Sequence, residues 1–116
     1  IPLVQHSLLA LLELSSQKDI PIETIVKKTS HAVSDRYGIM DRGYIREGYW
    51  ADLVLVDPNG KHEVTPESII YECGWSPFQG HCFDSSIEMT FVNGTKVFES
   101  GKILGEPMGK RLDFKG

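Results

Sequence analysis

The chain is poor in the residues that metal sites, disulfide frameworks and nucleic-acid surfaces require. Its 116 residues include two cysteines and four histidines, and no two histidines have His-x-His or His-x3-His spacing. Twelve basic residues stand against 16 acidic ones, so the net charge is −4 and no basic stripe is present. No apolar run approaches the roughly 20 residues of a membrane span. We therefore expect neither nucleic acid nor a membrane as a partner.

The beginning of the chain lacks an initiator methionine and the marks of a signal peptide. It opens with Ile1-Pro2, without a basic n-region or a small-residue cleavage pattern. Because it starts inside an apolar phrase, we expect a piece of a longer polypeptide. Cys73 and Cys82 are expected to be reduced thiols of a cytoplasmic protein, since nothing supports a disulfide and their spacing is poor for zinc.

Motifs that carry catalytic chemistry are also lacking. No serine lies in a Gly-x-Ser-x-Gly elbow, and no carboxylate pair shares an apolar face. The glycines of Gly43–Gly48 precede a strand, whereas those of a phosphate loop follow one. Asp52 is expected to partner a turn or the backbone, and each histidine to be a surface or hydrogen-bonding residue. We therefore expect no catalytic, cofactor-binding or metal-binding residue in this chain.

Two helices are predicted in the first third of the chain. Helical spacing of apolar residues predicts the first helix over Leu3–Leu14, before Ile20-Pro21 breaks the pattern. The second helix is predicted from Ile22 to about Asp35, with Gly38 as its C-terminal cap. The predicted apolar faces are Leu8, Leu11, Leu12 and Ser15, flanked by Val4 and Leu9, on the first helix, and Ile22, Ile25, Val26, Thr29 and Val33 on the second.

From Gly43 onward, short β-branched and aromatic runs between glycines predict strands. Strands are expected over residues 52–56, 61–64, 87–92 and 96–99, with a one-turn helix at Thr65-Pro66 and an extended piece over 69–72. Asn93-Gly94 predicts a two-residue hairpin turn. The fold class is therefore α+β: two helices over 1–38, then a small, mostly antiparallel β module over 39–116.

The β module carries a phrase that resembles a known family. Gly43-x-Ile45-x-x-Gly48-x-x-Ala51-Asp52-Leu53-Val54-Leu55-Val56-Asp57 is similar to the sequence that closes many amidohydrolases of the metal-dependent TIM-barrel superfamily. There this stretch begins the C-terminal half of a small β-sandwich, whose other half comes from the N-terminus. Just upstream, Ser30-His31-Ala32 stands where the family often has Asn-Pro-Ala, in a helix-start motif. The resemblance makes 1–38 the last barrel helix and a following helix, and 39–116 the closing sandwich half.

A second phrase narrows the resemblance to the cyclic-amide branch. Cys73-Gly74-Trp75-Ser76-Pro77-Phe78-Gln79-Gly80 is similar to the tails of dihydroorotases, allantoinases and dihydropyrimidinases. Trp75 and Val92-Asn93-Gly94 favour dihydroorotase. The resemblance then implies the C-terminal part of a zinc hydrolase that converts dihydroorotate to N-carbamoyl-aspartate in pyrimidine biosynthesis. There are two alternatives: the same tail in an allantoinase or hydantoinase, or a non-catalytic interaction domain.

The resemblance also implies what this chain does not carry. The family's ligands are a His-x-His, a carboxylated Lys, two further His and an Asp, and no position here matches them. Zinc is therefore expected in the parent enzyme and not in this fragment, which is expected to be structural and inactive alone. Its expected partners are the rest of its own polypeptide and further copies in a homo-oligomer. Ile1–Leu3 would border the active-site mouth, and Ser76–Gly80 is expected to be a packing loop.

Overall fold

The computed structural model describes residues 1–116 and contains short helices followed by short strands. The elements, in chain order, are α1 (Ser7–Gln17), α2 (Ile22–Val26), a π-helical segment (Lys27–His31), α3 (Ala32–Tyr37), β1 (Leu53–Asp57), β2 (His62–Glu63), a 3-10 helix (Pro66–Ser68), β3 (Cys82–Phe83), β4 (Ser86–Val92), β5 (Thr95–Glu99) and β6 (Lys102–Ile103). Helices and antiparallel strands together confirm the α+β class. The parent barrel and the composite sandwich stay predictions.

The chain forms two compact units, and each unit combines two separate segments. Unit 1 comprises Ile1–Ile20 and Val56–Ser86, and unit 2 comprises Pro21–Leu55 and Ile87–Gly116. The division at residue 38, which concerns the domains of a longer parent, stays a prediction. No helix of the structure combines the length and the apolarity needed to cross a bilayer.

Helix α1 of unit 1 is shifted relative to its prediction over Leu3–Leu14, because Gln5 is held outside the helix. The Gln5 side chain donates to the Ser68 carbonyl at 2.7 Å and accepts from the Ile70 N–H at 3.0 Å. Its backbone N–H donates to the Tyr71 hydroxyl at 2.7 Å. The helix therefore begins at Ser7, and it ends at Gln17, shortly before Asp19 adopts a positive φ of 53°.

The buried face of α1 also differs from the predicted one. Leu9, expected only to flank the apolar face, is the buried residue of the helix. Helix α1 packs against β3, whose Phe83 is fully buried. Leu8, Leu11 and Leu12 are only half-buried, because the side of the helix that carries Leu9 faces the interior of unit 1.

The strands of unit 1 form a two-residue antiparallel pair. His62 of β2 faces Phe83 of β3, and Glu63 faces Cys82. The sequence did not predict β3. In the extended piece expected over 69–72, Ile69 has an extended backbone with φ of −79° and ψ of 122°, and these residues pair with no strand. The predicted one-turn helix is confirmed: the Thr65 hydroxyl accepts from the Ser68 N–H while the Ser68 hydroxyl accepts from the Thr65 N–H.

The helical part of unit 2 is continuous from Ile22 to Tyr37, in agreement with the second predicted helix. A π-helical segment occupies its middle. Ser30 and His31 therefore lie inside the helix, as the prediction from Ile22 to about Asp35 placed them, and the helix-start motif implied by the resemblance is not found there. Gly38 ends the helix with φ of 63° and ψ of 35°, which confirms the predicted cap. Ile25 is the buried apolar residue of this helix.

A four-stranded sheet has the order β1-β4-β5-β6, with β1 at one edge. Asn93-Gly94 joins β4 to β5 with φ values of 52° and 82°, which confirms the predicted hairpin. A second two-residue turn, Ser100-Gly101, joins β5 to β6 with φ values of 47° and 85°. The sequence placed a strand end there and missed the returning strand.

Candidate functional site

A buried histidine lies at the centre of unit 1. His6 stands at the N-terminus of α1, where its side chain is 0% exposed. Its Nδ1 lies 3.2 Å from the hydroxyl oxygen of Ser76, which also accepts the Phe78 N–H at 3.2 Å. Ser76 is itself buried. This hydroxyl therefore ties the Ser76–Gly80 loop to the start of the helix.

Aromatic rings surround His6 on several sides. The centroids of Tyr71 and Phe78 both lie 6.1 Å from that of His6, each at an interplanar angle of 71°. Phe83 stacks at 6.3 Å, and the ring of His62 lies 5.7 Å away. We call His6, His62, Tyr71, Phe78 and Phe83 the histidine cluster. Of its members, His6 and Phe83 are fully buried.

The two imidazoles of the histidine cluster carry unsatisfied nitrogen atoms. Nε2 of His6 and Nε2 of His62 are both buried, and neither has a hydrogen-bond partner. Burial lowers the pKa of His6 below its ordinary value of 6.5, and the nearby His62 lowers it further. Burial likewise lowers the pKa of His62. Both rings are therefore neutral at neutral pH.

The histidine cluster does not meet the requirements of a zinc site. Structural zinc sites use four protein ligands and catalytic ones use three. His6 and His62 offer two nitrogen atoms, and no group of three or more His, Cys, Asp or Glu side chains is placed to share a metal ion. The residues of this chain thus do not fit the metal that the resemblance assigns to the parent.

The packing loop predicted over Ser76–Gly80 contributes to the histidine cluster. Phe78 contacts Phe83 with ring centroids 5.3 Å apart, and the Gly80 N–H donates to the Val64 carbonyl at 2.8 Å. Ser76 and Phe78 point inward, whereas Trp75 is 47% exposed. Contacts within the unit account for these inward side chains, which agrees with a packing role.

The remaining histidines and cysteines do not join the cluster as polar partners. His81 Nε2 lies 2.9 Å from a carboxylate oxygen of Glu13, and both side chains are partly exposed. Cys73 and Cys82 are free and exposed. In unit 2, the Nδ1 atom of His31 lies 2.7 Å from the carbonyl oxygen of Gly43. The expectation of surface or hydrogen-bonding histidines thus describes His31 and His81 well, but it missed the full burial of His6.

Unit 2 contains a second candidate, a cavity of about 260 Å³. Among its lining residues, Tyr44 donates its hydroxyl proton to Asp35 at 2.7 Å, and this bond raises the pKa of Tyr44. The ring of Tyr44 stacks on His31 at 4.2 Å and lies 4.0 Å from the guanidinium of Arg46. Asp35, His31 and Arg46 all contact Tyr44. These polar and aromatic groups of the cavity are therefore engaged with one another.

Asp52 lies elsewhere in unit 2 and matches its prediction. One carboxylate oxygen accepts from the Asn93 N–H at 2.8 Å, and the other forms an ion pair with Arg42. The expected role as a backbone partner is therefore confirmed.

The histidine cluster is the feature that sequence reasoning missed. His6, His62 and Ser76 come from three separate parts of the chain, and no local spacing links them. The available signal was weak: His6 shares helical spacing with apolar residues of α1, which is the pattern of a residue that faces the core.

Comparison with known proteins places this chain beside two groups of enzymes. The allantoinase of Rubrobacter xylanophilus is 36% identical over 93 residues, which is 80% of this chain and 20% of that protein. The dihydroorotase of Thermococcus kodakarensis is 30% identical over 116 residues, or 100% of this chain and 28% of that protein. The dihydroorotase of Halobacterium salinarum is 32% identical over 105 residues, or 89% of this chain and 24% of that protein.

The sequence resemblance pointed to the tails of dihydroorotases and allantoinases, and these matches include both groups of enzymes. The chain spans between 20% and 28% of the lengths of these three relatives. The allantoinase match has the higher identity and the Thermococcus match covers more of the chain, so neither group is favoured. No family model matches the chain.

Proposed function

We propose that this chain is the C-terminal part of a cyclic-amide hydrolase of the amidohydrolase superfamily. The observation that carries the proposal is the similarity to both allantoinases and dihydroorotases over 80% to 100% of the chain. Because these relatives are several times longer, the activity would belong to the intact polypeptide. The role of the chain itself is structural.

The surface of strand β1 supports this structural role. Leu53, Val54 and Leu55 are all exposed, although successive side chains of a strand point to opposite faces. A continuous apolar run is typical of a strand that is covered on both faces. The free edge of β1 and its two apolar faces therefore fit a strand that the rest of its own polypeptide covers.

The proposed reaction is the hydrolytic opening of a cyclic amide. Water adds across the ring C–N bond: the carbonyl carbon gains the hydroxyl, the nitrogen gains the proton, and the ring opens. We propose dihydroorotate as the substrate and N-carbamoyl-aspartate as the product, in a cytoplasmic zinc enzyme. The match to a dihydroorotase over 100% of this chain, which is 28% of that protein, supports this choice, as does Trp75 in the phrase before Ser76. The zinc ligands would lie outside this chain.

Allantoin hydrolysis is the second candidate, because the allantoinase match has the higher identity, 36%. The experiment that separates the candidates is an assay of the intact, zinc-loaded protein with dihydroorotate, allantoin and hydantoin in parallel. We expect dihydroorotate to be opened fastest. The 116-residue chain alone serves as the control and should open none of them.

A faster reaction with allantoin or hydantoin would replace the proposed substrate but keep the enzyme class. No hydrolysis of any of the three by the folded, zinc-loaded protein would contradict the hydrolase proposal. The chain would then belong to a non-catalytic interaction protein. Self-association of the intact protein, measured by light scattering, tests the homo-oligomer that we also propose.

A further inference from the structure

The histidine cluster joins the structural pieces of unit 1. His6 comes from the start of α1, His62 from β2, Phe83 from β3, and Ser76 and Phe78 from the loop between them. Besides Leu9 and Val64, Phe83 is the apolar residue of unit 1 that is almost completely buried. A change in the charge of either imidazole therefore acts at the contacts that join α1, β2, β3 and the Ser76–Gly80 loop.

Protonation of these imidazoles would add hydrogen-bond donors without acceptors. A neutral imidazole has one N–H donor and one acceptor nitrogen, whereas its protonated form has two donors. Nδ1 of His6 faces the Ser76 hydroxyl, but Nε2 of His6 and Nε2 of His62 face no acceptor at all. Each added proton would leave a charge and a buried N–H group unpaired, which is costly in an apolar site.

No counter-ion reaches the two rings. On α1, Glu13 is paired with His81, whose ring packs against Phe83 and Phe78. The Tyr71 hydroxyl accepts from the Gln5 N–H. The remaining titratable groups on the two strands and their flanks are Lys61, Glu63, Cys82 and Asp84, of which Lys61 and Asp84 pair with each other. None of these groups forms a hydrogen bond with His6 or His62.

We propose that the His6–His62 pair makes unit 1 acid-labile: protonation of the pair opens the contacts of α1, β2 and the Ser76–Gly80 loop while unit 2 stays closed. The two like charges would lie about one ring-to-ring distance apart, 5.7 Å, inside an aromatic cage. Their repulsion adds to the cost of burying each charge. This inference does not depend on the hydrolase proposal.

The direction of the pH dependence follows from proton binding. The open state binds protons near the ordinary pKa of 6.5, while burial lowers the pKa of both histidines in the closed state. The closed state therefore has its full stability above about pH 6.5 and loses it as the pH falls below that value. For each proton that only the open state binds, the equilibrium constant for opening rises by up to about tenfold when the pH falls by one unit. Two such protons raise it by up to ~100-fold per unit.

Hydrogen exchange of the intact protein between about pH 7.5 and pH 5 tests the proposal. The reporters in unit 1 are the amides of Val64 and Gly80, which donate to the carbonyls of His81 and Val64. The references in unit 2 are the amides of Met40 and Gly94, which donate to Asp113 and Ala51. After correction for intrinsic exchange, we expect protection to fall in unit 1 only. Constant protection in unit 1, or an equal fall in both units, would overturn the proposal.

Two variants identify the groups that titrate. His62→Phe keeps a ring at position 62 and removes one proton, so the pH dependence of opening should fall to about tenfold per unit. His81→Gln is the matched control in the same unit and should leave the pH dependence unchanged. The proposal fails if His62→Phe has no effect on this slope or if His81→Gln abolishes it. Should His62→Phe not fold, the pH series of the unchanged protein with the His81→Gln control still decides.

Discussion

The carboxylate of Asp52 accepts a hydrogen bond from the backbone N–H of Asn93 at 2.8 Å, although 41 residues separate them in the chain. Next to this bond, the Gly94 N–H donates to the Ala51 carbonyl at 2.9 Å. The Ala51-Asp52 dipeptide, just before β1, thus holds the turn between β4 and β5. This contact gives a physical role to the most recognisable phrase of the sequence.

Replacing Asp52 with alanine should loosen that turn. The substitution removes the acceptor of the Asn93 N–H and the partner of Arg42, whose side chain is only 10% exposed. We expect a loss of about 1–3 kcal/mol, which hydrogen exchange at Asn93 and Gly94 would report as a roughly five- to 150-fold fall in protection. Glu47→Ala removes an exposed carboxylate without such contacts and should change protection little. Equal effects of the two substitutions would contradict this role.

Alanine substitutions at Gly43 and Gly48 distinguish the cost of backbone strain from the cost of steric overlap. Both have positive φ, 84° and 83°, so alanine at either position should cost about 1–2 kcal/mol. A Cβ atom at Gly43 would also lie 2.4 Å from the Ser34 Cβ, whereas nothing lies within 4 Å at Gly48. Gly43→Ala should therefore destabilise the chain by at least ~1 kcal/mol more than Gly48→Ala in urea denaturation. Equal losses would show that Ser34 moves away freely.

Removing the Ser76 hydroxyl should weaken unit 1. Ser76→Ala leaves the Nδ1 atom of buried His6 and the Phe78 N–H without their partner. We expect a loss of about 1–3 kcal/mol, measured by exchange of the Gly80 amide. Ser16→Ala, at an exposed position of α1, is the matched control and should be neutral or slightly stabilising because alanine favours helices. A neutral Ser76→Ala would mean that the loop is held by Phe78 alone.

The exposed ion pair between Lys61 and Asp84 sets the titration of both groups. The hydrogen bond and charge of Lys61 lower the pKa of Asp84, and those of Asp84 raise the pKa of Lys61. In Lys61→Met the pKa of Asp84 should rise towards its ordinary value, as measured by NMR titration of the carboxyl carbon. Any stability from Asp84 is present above about pH 3.8 and is lost as the pH falls through its lowered pKa. An unchanged pKa in the variant would exclude the pair in solution.

The edge of β1 should make the isolated chain self-associate. Leu55 is 54% exposed on this edge strand, and an uncovered apolar edge pairs readily with another chain. We expect the apparent mass in analytical ultracentrifugation to rise with concentration, and Leu55→Lys to reduce the rise. Glu63→Lys, which changes a charge on β2, is the control. A monomer at all concentrations would contradict the idea that β1 needs a cover.

Local signals predicted the turns and caps of this fold well. Gly38 and the Asn93-Gly94 pair adopt the positive φ values that their sequence implies, and Thr65-Pro66 begins the expected helical turn. In each case the deciding interactions lie within a few residues. Backbone conformational limits and short hydrogen bonds are properties that a sequence displays directly.

Features that depend on distant partners were not predictable in this way. The start of α1 is set by the contacts of Gln5 with Ser68 and Ile70, and the burial of His6 by rings from beyond residue 60. A single sequence does not show which distant residues meet. The histidine cluster therefore emerged only from the three-dimensional arrangement, whereas the role of Asp52 could be read from its position before β1.

The segments of the two units alternate along the chain, and this limits how related genes can recombine within it. Each unit takes one segment from before Val56 and one from after it, so any single cut between residues 20 and 86 divides at least one unit. A recombination event that exchanged only the first or the last half with a relative would combine mismatched interiors in both units. Productive exchange between relatives should therefore keep the two segments of each unit together.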